Sequence, residues 1–446
     1  MDADGGGPEE DNGAVKRRGH LGRRPRRLAL VPVGAKSGCC HLPHSRLSHH
    51  YTCTAPPGHH EITLSCKKLA DISRMRAESV LLQITQDYQE LNGSHYETLD
   101  GPPSPVQFSR IVHISRPALF RGCFTASQFP ALQHWNDGYI CDKMQGRPIS
   151  VAVTPDGRAD ALVSGTDAKT YFVEPYSQQM AAREFFAALS SVRTVSIEEI
   201  PSSHLQESAL QSSRQGQLHT GEVCYLQSQN GNLYSGQSTG GSTAEALDEP
   251  SEFMPLRGDV PKHIEWATDA LGRGPDAVNL WIGDERSVTS VHSDPYENLY
   301  TVVRGSKTFV LLPPTEGWLL REQRYPHATY TRPSPGSPLE LIPSPANHPT
   351  VRWASVDPTR LSAPAAPLRI TVNAGETLYL PSGWWHHVSQ RGDGPDGKGV
   401  CIAVNWWYDM EMRGMGWVWM SLLRRLGGPS DESVEPGSED ADSGSD

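Results

Sequence analysis

A histidine and an aspartate stand two residues apart, at His292 and Asp294, in the segment SVHSDPYENLYTVV. Side chains at i and i+2 of a strand project to the same face, so both can reach one ion. Far downstream, GETLYLPSGWWHHVSQ carries His386 and His387 behind an apolar strand and a Pro-Ser-Gly bend. Two imidazoles and one carboxylate form the facial ligand set of non-haem Fe(II), which leaves coordination positions open, although Zn(II) accepts the same ligands.

The two adjacent histidines compete for the third ligand position. Alternation along an extended chain lets only one of His386 and His387 face inward, and it does not decide which. An isolated His-x-Asp pair is weak evidence, because it recurs by chance and many histidines are simply satisfied polar groups. The indication of a metal site therefore depends on the two segments together.

A lysine follows His292 by fifteen residues, within TVVRGSKTFV. Gly305-Ser306 predicts a hairpin with a Gly-X turn, in which Lys307 begins the return strand and reaches over the interior. A buried ammonium is stabilised only by an anion, and Asp294 is already committed to the metal. We therefore expect a dicarboxylic cosubstrate, whose distal carboxylate pairs with Lys307. Donors from Thr289, Asn298 and Tyr225 would complete the pocket; the alternative is a solvent-exposed hairpin lysine.

Short strand-like segments separated by turn signals fill the second half of the chain. They include AVNLWIG, SVTSVHSD, ENLYTVVRG, KTFVLLPP, LRITVNAGETLYLP, WWHHVSQ and CIAVNWWYD. This pattern predicts a mainly β protein with flanking helices, built as an antiparallel barrel or double-sheet jelly roll. Helical spacing of apolar residues predicts a helix from Leu69 to Leu91, and SQQMAAREFFAAL predicts a second one. RIVHISRPALFRG is predicted as a strand entering a turn, and PISVAVTPDGRADALV as a hairpin.

Composition and charge exclude several classes of protein. With 446 residues, 41 glycines, 36 prolines and 37% hydrophobic residues, the chain predicts a loop-rich core with sizeable extensions. A net charge of −11 argues against nucleic-acid binding by the folded body. No apolar run is long enough to span a membrane. The eight cysteines form no C-x-x-C pair, which predicts reduced thiols and a cytoplasmic or also nuclear location.

The first 67 residues have a composition of their own. KRRGHLGRRPRR is strongly basic and is typical of a localisation or anion-binding stretch, or of an unselected extension. CCHLPHSRLSHHYTC supplies ligands for zinc, but it lacks the paired spacing of structural zinc sites. A disordered stretch or a misassigned start of the reading frame is the alternative interpretation.

Several motifs together match a known family. TSVHSDPYENLYTVVRGSKTFVLLPP, GETLYLPSGWWHHV and CIAVNWWYDME resemble the JmjC (Jumonji-C) Fe(II)- and 2-oxoglutarate-dependent oxygenases of cupin fold. VAVTPDGRADA and DAVNLWIGD resemble the lysyl (3S)-hydroxylases within that family. The resemblance covers about residues 69–426, with Pro/Ser-rich stretches at 235–252 and 332–349 as departures.

The resemblance implies a set of site residues. It implies a double-stranded β-helix that binds Fe(II) through His292, Asp294 and His386, because the family's ligand directly follows the aromatic pair. It also implies that 2-oxoglutarate and O2 are cosubstrates. Tyr225, Thr289 and Lys307 would bind the distal carboxylate of 2-oxoglutarate, while Asn298 and Asn405 would line the pocket.

The resemblance further implies a substrate, whereas the division of the chain follows from composition and pattern. The substrate would be a lysyl residue of a developmentally regulated GTP-binding protein, hydroxylated at C-3, with Asp409 and Glu411 as candidate acids at the mouth. Histone lysine demethylation, peptidase activity on methylated histone tails and a non-catalytic cupin are the alternatives. A homodimer through the C-terminal helix, with its exposed Trp417 and Trp419, is a further expectation.

The predicted regions are a disordered basic extension (1–67), a helical/β region (68–220), the β-helix core with the 332–349 insertion (221–410), a C-terminal helix (411–428) and an acidic disordered tail (429–446).

Overall fold

The computed structural model describes residues 66–190, 218–219, 221–227, 233–234 and 251–429. Of residues 66–73 it gives the backbone course alone. The predicted basic extension up to residue 65, most of the 235–252 stretch and the acidic tail beyond Pro429 lie outside the described residues. The zinc and localisation hypotheses for the first 65 residues therefore stay predictions.

Seven α-helices flank the strands of the described chain. They are α1 (Cys66–Asn92), α2 (Pro105–Ile114), α3 (Ala131–His134), α4 (Asp137–Met144), α5 (Ala182–Ser190), α6 (Glu265–Leu271) and α7 (Met415–Gly427). The predicted helix 69–91 is confirmed as part of α1. No helix among these residues is both long enough and apolar enough to cross a membrane.

Twenty strands carry the rest of the described fold. They are β1 (Glu97–Asp100), β2 (Ala118–Arg121), β3 (Pro148–Thr154), β4 (Arg158–Ala159), β5 (Ala161–Ser164), β6 (Thr170–Glu174), β7 (Tyr176–Ala181), β8 (Val223–Gln227), β9 (Ala277–Gly283), β10 (Val288–Ser293), β11 (Tyr296–Arg304), β12 (Ser306–Leu312), β13 (Gln323–Tyr325), β14 (His327–Thr331), β15 (Glu340–Pro343), β16 (Val351–Trp353), β17 (Leu368–Asn373), β18 (Glu376–Leu380), β19 (Trp385–Arg391) and β20 (Cys401–Asp409).

Two facing sheets form the jelly roll. One sheet runs in the order β1-β2-β18-β11-β20-β9-β8-β3-β7, and the other runs β17-β12-β19-β10-β4. Successive strands β9 to β12 and β17 to β20 alternate between the two sheets, which is the winding of a double-stranded β-helix. The predicted fold class, mainly β with flanking helices, is confirmed. Because β3 and β7 share a sheet with β9, the predicted 68–220 region and the core form one continuous sheet.

The predicted hairpin around Gly305 is wrong. Strand β11 pairs with β18 and β20, whereas β12 pairs with β17 and β19, so the two strands lie in opposite sheets. Gly305 adopts a positive φ of 71° and packs against the backbone of Arg391. It therefore forms a corner where the chain crosses from one sheet to the other, a position where a side chain would clash.

Three other local predictions need correction. Arg110–Ile114, predicted as a strand, ends helix α2, and the strand begins only at Ala118. The PISVAVTPDGRADALV segment forms no hairpin, because β3 pairs with β7 and β8, β4 with β10, and β5 with β6. SQQMA belongs to strand β7, and the second predicted helix begins at Ala182.

The 332–349 insertion and its neighbours form a side lobe against the barrel. Strands β15, β14, β6 and β5 make a separate four-stranded sheet, and β13 pairs with β16. The insertion thus contributes a strand, β15, as well as surface loop. Arg332 anchors its start through an ion pair of 2.7 Å with Glu222, in which both side chains are buried.

Candidate metal and cosubstrate site

Two neighbouring strands bring the candidate ligands together. Strands β10 and β19 are antiparallel, and His292 lies directly opposite His386. The Nε2 atoms of His292 and His386 each lie 3.6 Å from Oδ2 of Asp294. One donor atom from each residue lies within 4.8 Å of the others. An ion bonded to all three at about 2.1 Å would fit between them, so the donor set suits Fe(II) or Zn(II).

The structure places His386, and not His387, beside His292 and Asp294. His386 is 5% exposed and lines the internal cavity, whereas His387 lies on the other face of β19, opposite Val310. The ring centroids of His292 and His386 are 4.2 Å apart. Side chains alternate along β19, so His386 faces the cavity and His387 faces away from it. The choice between the two histidines, which the sequence left open, is thereby made.

Backbone carbonyls orient both imidazoles in the cavity. Nδ1 of His292 lies 2.8 Å from the Ser290 carbonyl oxygen, and Nδ1 of His386 lies 3.1 Å from the Trp384 carbonyl oxygen. A carbonyl oxygen can only accept, so each Nδ1 carries a proton and each Nε2, which faces Asp294, is the nitrogen left to bind a metal. This is the tautomer that metal binding through Nε2 requires.

Burial and charge tune the three groups differently. Burial and the neighbouring His292 lower the pKa of His386 to about 4, which keeps that imidazole neutral. Burial opposes charge on Asp294, but the two histidines outweigh it and hold its pKa below the usual value. Burial also opposes protonation of His292, but the Asp294 carboxylate outweighs it and raises the pKa of His292. Near neutral pH the triad therefore presents a carboxylate and at least one neutral imidazole.

Lys307 is a buried ammonium without an anionic partner. Its side chain is 1% exposed, and Nζ donates a hydrogen bond of 2.9 Å to the Tyr225 hydroxyl. Nζ also lies over the rings of Tyr225 and Tyr300, at 5.2 and 5.8 Å from their centroids. Across the described ranges no carboxylate forms an ion pair with it. The predicted inward position of Lys307 is therefore observed, although it follows from the corner at Gly305 and not from a hairpin.

The remaining predicted pocket residues line the same cavity. Asn405 donates a hydrogen bond of 3.0 Å to Asn298, and Trp281 donates one of 2.7 Å to Asn405, so the two amides are held in place. The lining residues are Tyr225, Trp281, Thr289, His292, Asp294, Asn298, Tyr300, Phe309, His386, Val388, Asn405 and Trp407. All eight predicted site residues meet at this cavity or, for Lys307, at its Tyr225 wall.

Comparisons with known proteins agree with this architecture. A model of the cupin-like domain family matches residues 103–414. The lysine-specific demethylase JMJ32 of Arabidopsis thaliana is 39% identical over 346 residues, covering 73% of this chain and 85% of that protein. The bifunctional peptidase and (3S)-lysyl hydroxylase JMJD7 of Homo sapiens is 36% identical over 321 residues, covering 70% and 84%. The chain belongs to the JmjC oxygenases of the cupin-like family.

A third relative extends the match over most of the JmjC chain. The JmjC domain-containing protein E of Dictyostelium discoideum is 28% identical over 367 residues, which cover 78% of this chain and 92% of that protein. The resemblance drawn from the sequence motifs is confirmed. The Arabidopsis and human relatives carry names for different reactions, so kinship alone leaves the JmjC reaction type to be proposed.

The side lobe adds acidic residues that sequence reasoning missed. Asp160 follows β4, which pairs with β10 at Thr289, and it accepts a hydrogen bond of 3.2 Å from Gln227. Its carboxylate interacts electrostatically with His292 and Glu174. Glu174 lies 3.4 Å from His327 Nε2. Within the described chain neither carboxylate forms an ion pair with a lysine or arginine, so this flank of the candidate metal site is negative.

Two buried aromatic side chains pack behind His292. Trp353 stacks on His292 with the ring centroids 6.3 Å apart and an interplanar angle of 10°. Phe172 packs on Trp353 at 4.6 Å between centroids. Both rings are buried, so they form a wall behind His292 and present no open aromatic cage.

The acids expected at the mouth are engaged elsewhere. Asp409 forms an ion pair of 2.9 Å with Arg273, which also pairs with Asp276. Glu411 is exposed and lies 3.7 Å from Arg413. Asp160 and Glu174, unlike Asp409 and Glu411, form no ion pair with an arginine or a lysine in the described part of the chain.

Replacement of Asp160 by asparagine should stabilise the metal-free protein at alkaline pH. Burial, with Glu174 next, raises the pKa of Asp160 from 3.8 to about 6. Between about pH 4 and about pH 6, the folded state therefore holds a proton on Asp160 that the unfolded state has lost. The stability that this proton contributes is fully present below about pH 4 and is lost as the pH rises through about 6. Urea unfolding should show a gain of about 1–3 kcal/mol for D160N near pH 8, and a smaller gain near pH 5.

Asp167 provides a control of opposite sign. Its hydrogen bond from Tyr171 lowers the pKa of this exposed carboxyl. D167N should therefore leave stability unchanged or slightly reduced near pH 8. If the gain in stability from D160N over the parent were smaller near pH 8 than near pH 5, the electrostatic interpretation would be contradicted.

Proposed function

We propose that this JmjC chain is an Fe(II)- and 2-oxoglutarate-dependent protein hydroxylase. Its reaction would be C-3 hydroxylation of a lysyl residue in a GTP-binding protein of the developmentally regulated type. The observation that carries the proposal is Lys307, an ammonium buried without an anion against the Tyr225 wall of the cavity that holds a His/Asp/His donor set. A metal-binding site alone would not need a buried cation, whereas a dicarboxylate bridging the metal and Lys307 needs both.

The side chains of the cavity would divide the work of binding. His292, Asp294 and His386 would hold the metal from one side. Lys307 and the Tyr225 hydroxyl would fix the distal carboxylate of 2-oxoglutarate through charge-assisted hydrogen bonds. When bound, iron and cosubstrate supply the oxidising chemistry that amino-acid side chains lack. Trp353 and Phe172 would exclude water from the flank of His292.

The charge beside His292 supports a primary ammonium as the substrate group. Asp160 and Glu174 lie on this flank without lysine or arginine partners in the described chain. A lysyl ammonium offers three N–H donors to such carboxylates, whereas a trimethylated one offers none and favours an aromatic cage. The buried faces of Trp353 and Phe172 provide no such cage.

Demethylation of methyl-lysine is the second candidate, because a relative with 39% identity is named as a lysine-specific demethylase. Both reactions would use the same ligands and cosubstrate. Hydroxylation of an N-methyl group would release formaldehyde, whereas hydroxylation at C-3 would leave the oxygen on the lysine. Peptidase activity, which is part of the name of the human relative, would instead cleave the substrate chain.

Mass spectrometry of the product would separate these reactions. The purified chain would be incubated with Fe(II), 2-oxoglutarate and either a developmentally regulated GTP-binding protein or methylated histone tails. We expect 2-oxoglutarate turnover to succinate, stimulated by the GTP-binding protein, and a lysyl peptide heavier by one oxygen. Loss of a methylene with formaldehyde release, or cleavage of the chain, would overturn the proposal; H292A is the inactive control.

We also propose that the chain forms a homodimer through α7. Trp419 and Leu422, three residues apart on one face of this helix, expose large apolar side chains, with 57% of Trp419 accessible, whereas Trp417 lies on the opposite side of the helix. A second copy of the same helix would cover such a face symmetrically. Sedimentation of the chain, with a W419E variant as the disrupted control, would measure the association.

The cytoplasmic or also nuclear location stays a prediction.

A further inference from the structure

Glu297 is a buried carboxylate next to the candidate metal ligands and has no part in the proposed chemistry. It stands three residues after Asp294, at the start of β11, and is 9% exposed. Across the described chain it forms no ion pair, and burial raises its pKa above the usual value. A carboxylate held in such surroundings is normally destabilising unless its hydrogen bonds compensate.

The hydrogen bonds that the Glu297 side chain accepts come from the other ligand-bearing segment. Oε2 accepts one of 2.6 Å from the Tyr379 hydroxyl and one of 3.3 Å from the Ser382 backbone N–H. Oε1 accepts one of 2.7 Å from the Ser382 hydroxyl. Tyr379 and Ser382 lie on β18 and in the Pro-Ser-Gly bend, directly before Trp384, Trp385 and His386.

A second link joins the same two segments. The Gly383 N–H donates a hydrogen bond of 2.8 Å to the Asp294 carbonyl oxygen. Asp294 lies one residue beyond the last pair of β10 and β19, Ser293–Trp385, and the register of the two strands shifts between Thr289 and His292. The position of His386 relative to Asp294 therefore depends on the bend, and the bend depends on Glu297 and on the Gly383–Asp294 bond.

We infer that Glu297 is a positioning residue that sets the distance between His386 and Asp294. The inference rests on the proposed function, since it takes the triad to be the metal site. Glu297 acts through the 381–383 bend and does not touch the metal. Its removal should loosen the third ligand while the barrel stays folded, because β11 retains its pairing to β18 and β20.

Metal affinity of the metal-free protein, measured with Mn(II) by electron paramagnetic resonance of the unbound ion, tests this role. Loss of an outer partner of a metal ligand typically lowers affinity about 10- to 100-fold, and we expect E297A to fall in that range. S382A, which keeps the carboxylate and the Ser382 N–H bond, should lose a smaller factor. E297Q should recover part of the affinity, because its amide oxygen still accepts one bond.

Asp259 supplies a matched control far from the cavity. It is 7% exposed and, like Glu297, accepts hydrogen bonds from neutral donors, here Trp135 and Tyr139 at 3.0 Å. D259A should lower the melting temperature as E297A does, but it should leave Mn(II) affinity within about twofold of the parent.

The outcomes separate this inference from the proposed function. Equal Mn(II) affinity for E297A and the parent, or an equal loss in D259A, would overturn the positioning role alone. A parent protein that does not bind Mn(II), or that binds it as well with H292A, would overturn the metal site and the positioning role together. If E297A does not fold, the graded losses in S382A and E297Q against the D259A control decide the question.

Discussion

Replacement of His386 by alanine is expected to abolish metal binding and succinate formation, whereas the same change at His387 leaves both largely intact. The two histidines are neighbours in the chain, but only His386 faces Asp294, at 3.6 Å. Loss of an outer partner lowers metal affinity up to about 100-fold, so loss of a ligand should lower it by more than that. Titration with Mn(II) and 2-oxoglutarate turnover would measure the two effects.

H387A is the matched control because it removes the same side chain from the same strand. His387 lies opposite Val310, and burial lowers the pKa of its imidazole. We expect a modest change in stability and metal affinity within a few-fold of the parent, as is usual for substitutions away from a site. Equal losses in H386A and H387A would contradict the assignment, and so would a functional H386A protein.

Replacement of Lys307 by methionine should weaken 2-oxoglutarate binding strongly and stabilise the protein that lacks cosubstrate. Truncating one partner of a buried charge pair costs about 2–5 kcal/mol, which corresponds to at least about 30-fold in the KM for 2-oxoglutarate. Without cosubstrate, however, the ammonium has the Tyr225 hydroxyl and two ring faces but no anion. An apolar residue of similar volume in its place should add about 1–4 kcal/mol of stability.

Thermal unfolding with and without 2-oxoglutarate, in the presence of Mn(II), would show both effects. The parent should gain stability from 2-oxoglutarate by linkage, whereas K307M should start higher and gain little. K169M, which removes a lysine that is 70% exposed, should behave as the parent in both respects. A K307M protein with unchanged KM for 2-oxoglutarate would show that the distal carboxylate binds elsewhere.

The convergence of the metal ligands was predictable from short-range rules and motif spacing. His292 and Asp294 share a face because side chains alternate along a strand, and this holds whatever sheet the strand joins. The side of β19 that faces the cavity was not predictable from alternation alone, because it depends on the register of His292 against His386. Lys307 shows the same limit: its burial was expected, but the crossing between sheets at Gly305 was taken for a hairpin.

Helix α2 shows how local signals can mislead. RIVHI was predicted as part of a strand, whereas the segment ends a helix whose start carries a clear helix signal. Ser104 and Gln107 form a capping box and Pro105 occupies the first turn, both of which favour a helix. Phe108 and Ile111, three residues apart, then become the buried face.

Asp160 and Glu297 could not be located from the sequence as parts of the site. Asp160 reaches the flank of His292 only because β4 pairs in parallel with β10, a contact between segments well over a hundred residues apart. The side chain of Glu297 contacts Ser382, which lies 85 residues further along the chain. Neither residue belongs to a periodic pattern, so only the tertiary structure shows what it contacts.

Helix α7 has a consequence for how the chain can be shortened. Met420 fills the space before Gly383, Arg424 lies 5.1 Å from the centre of the Trp385 ring, and Arg424 also pairs with Glu322 at 2.6 Å. The last helix is thus the outer support of the very bend and strand that present His386. A fragment ending at the last strand would keep every ligand yet leave that support missing, so the smallest functional unit extends through the end of the helix.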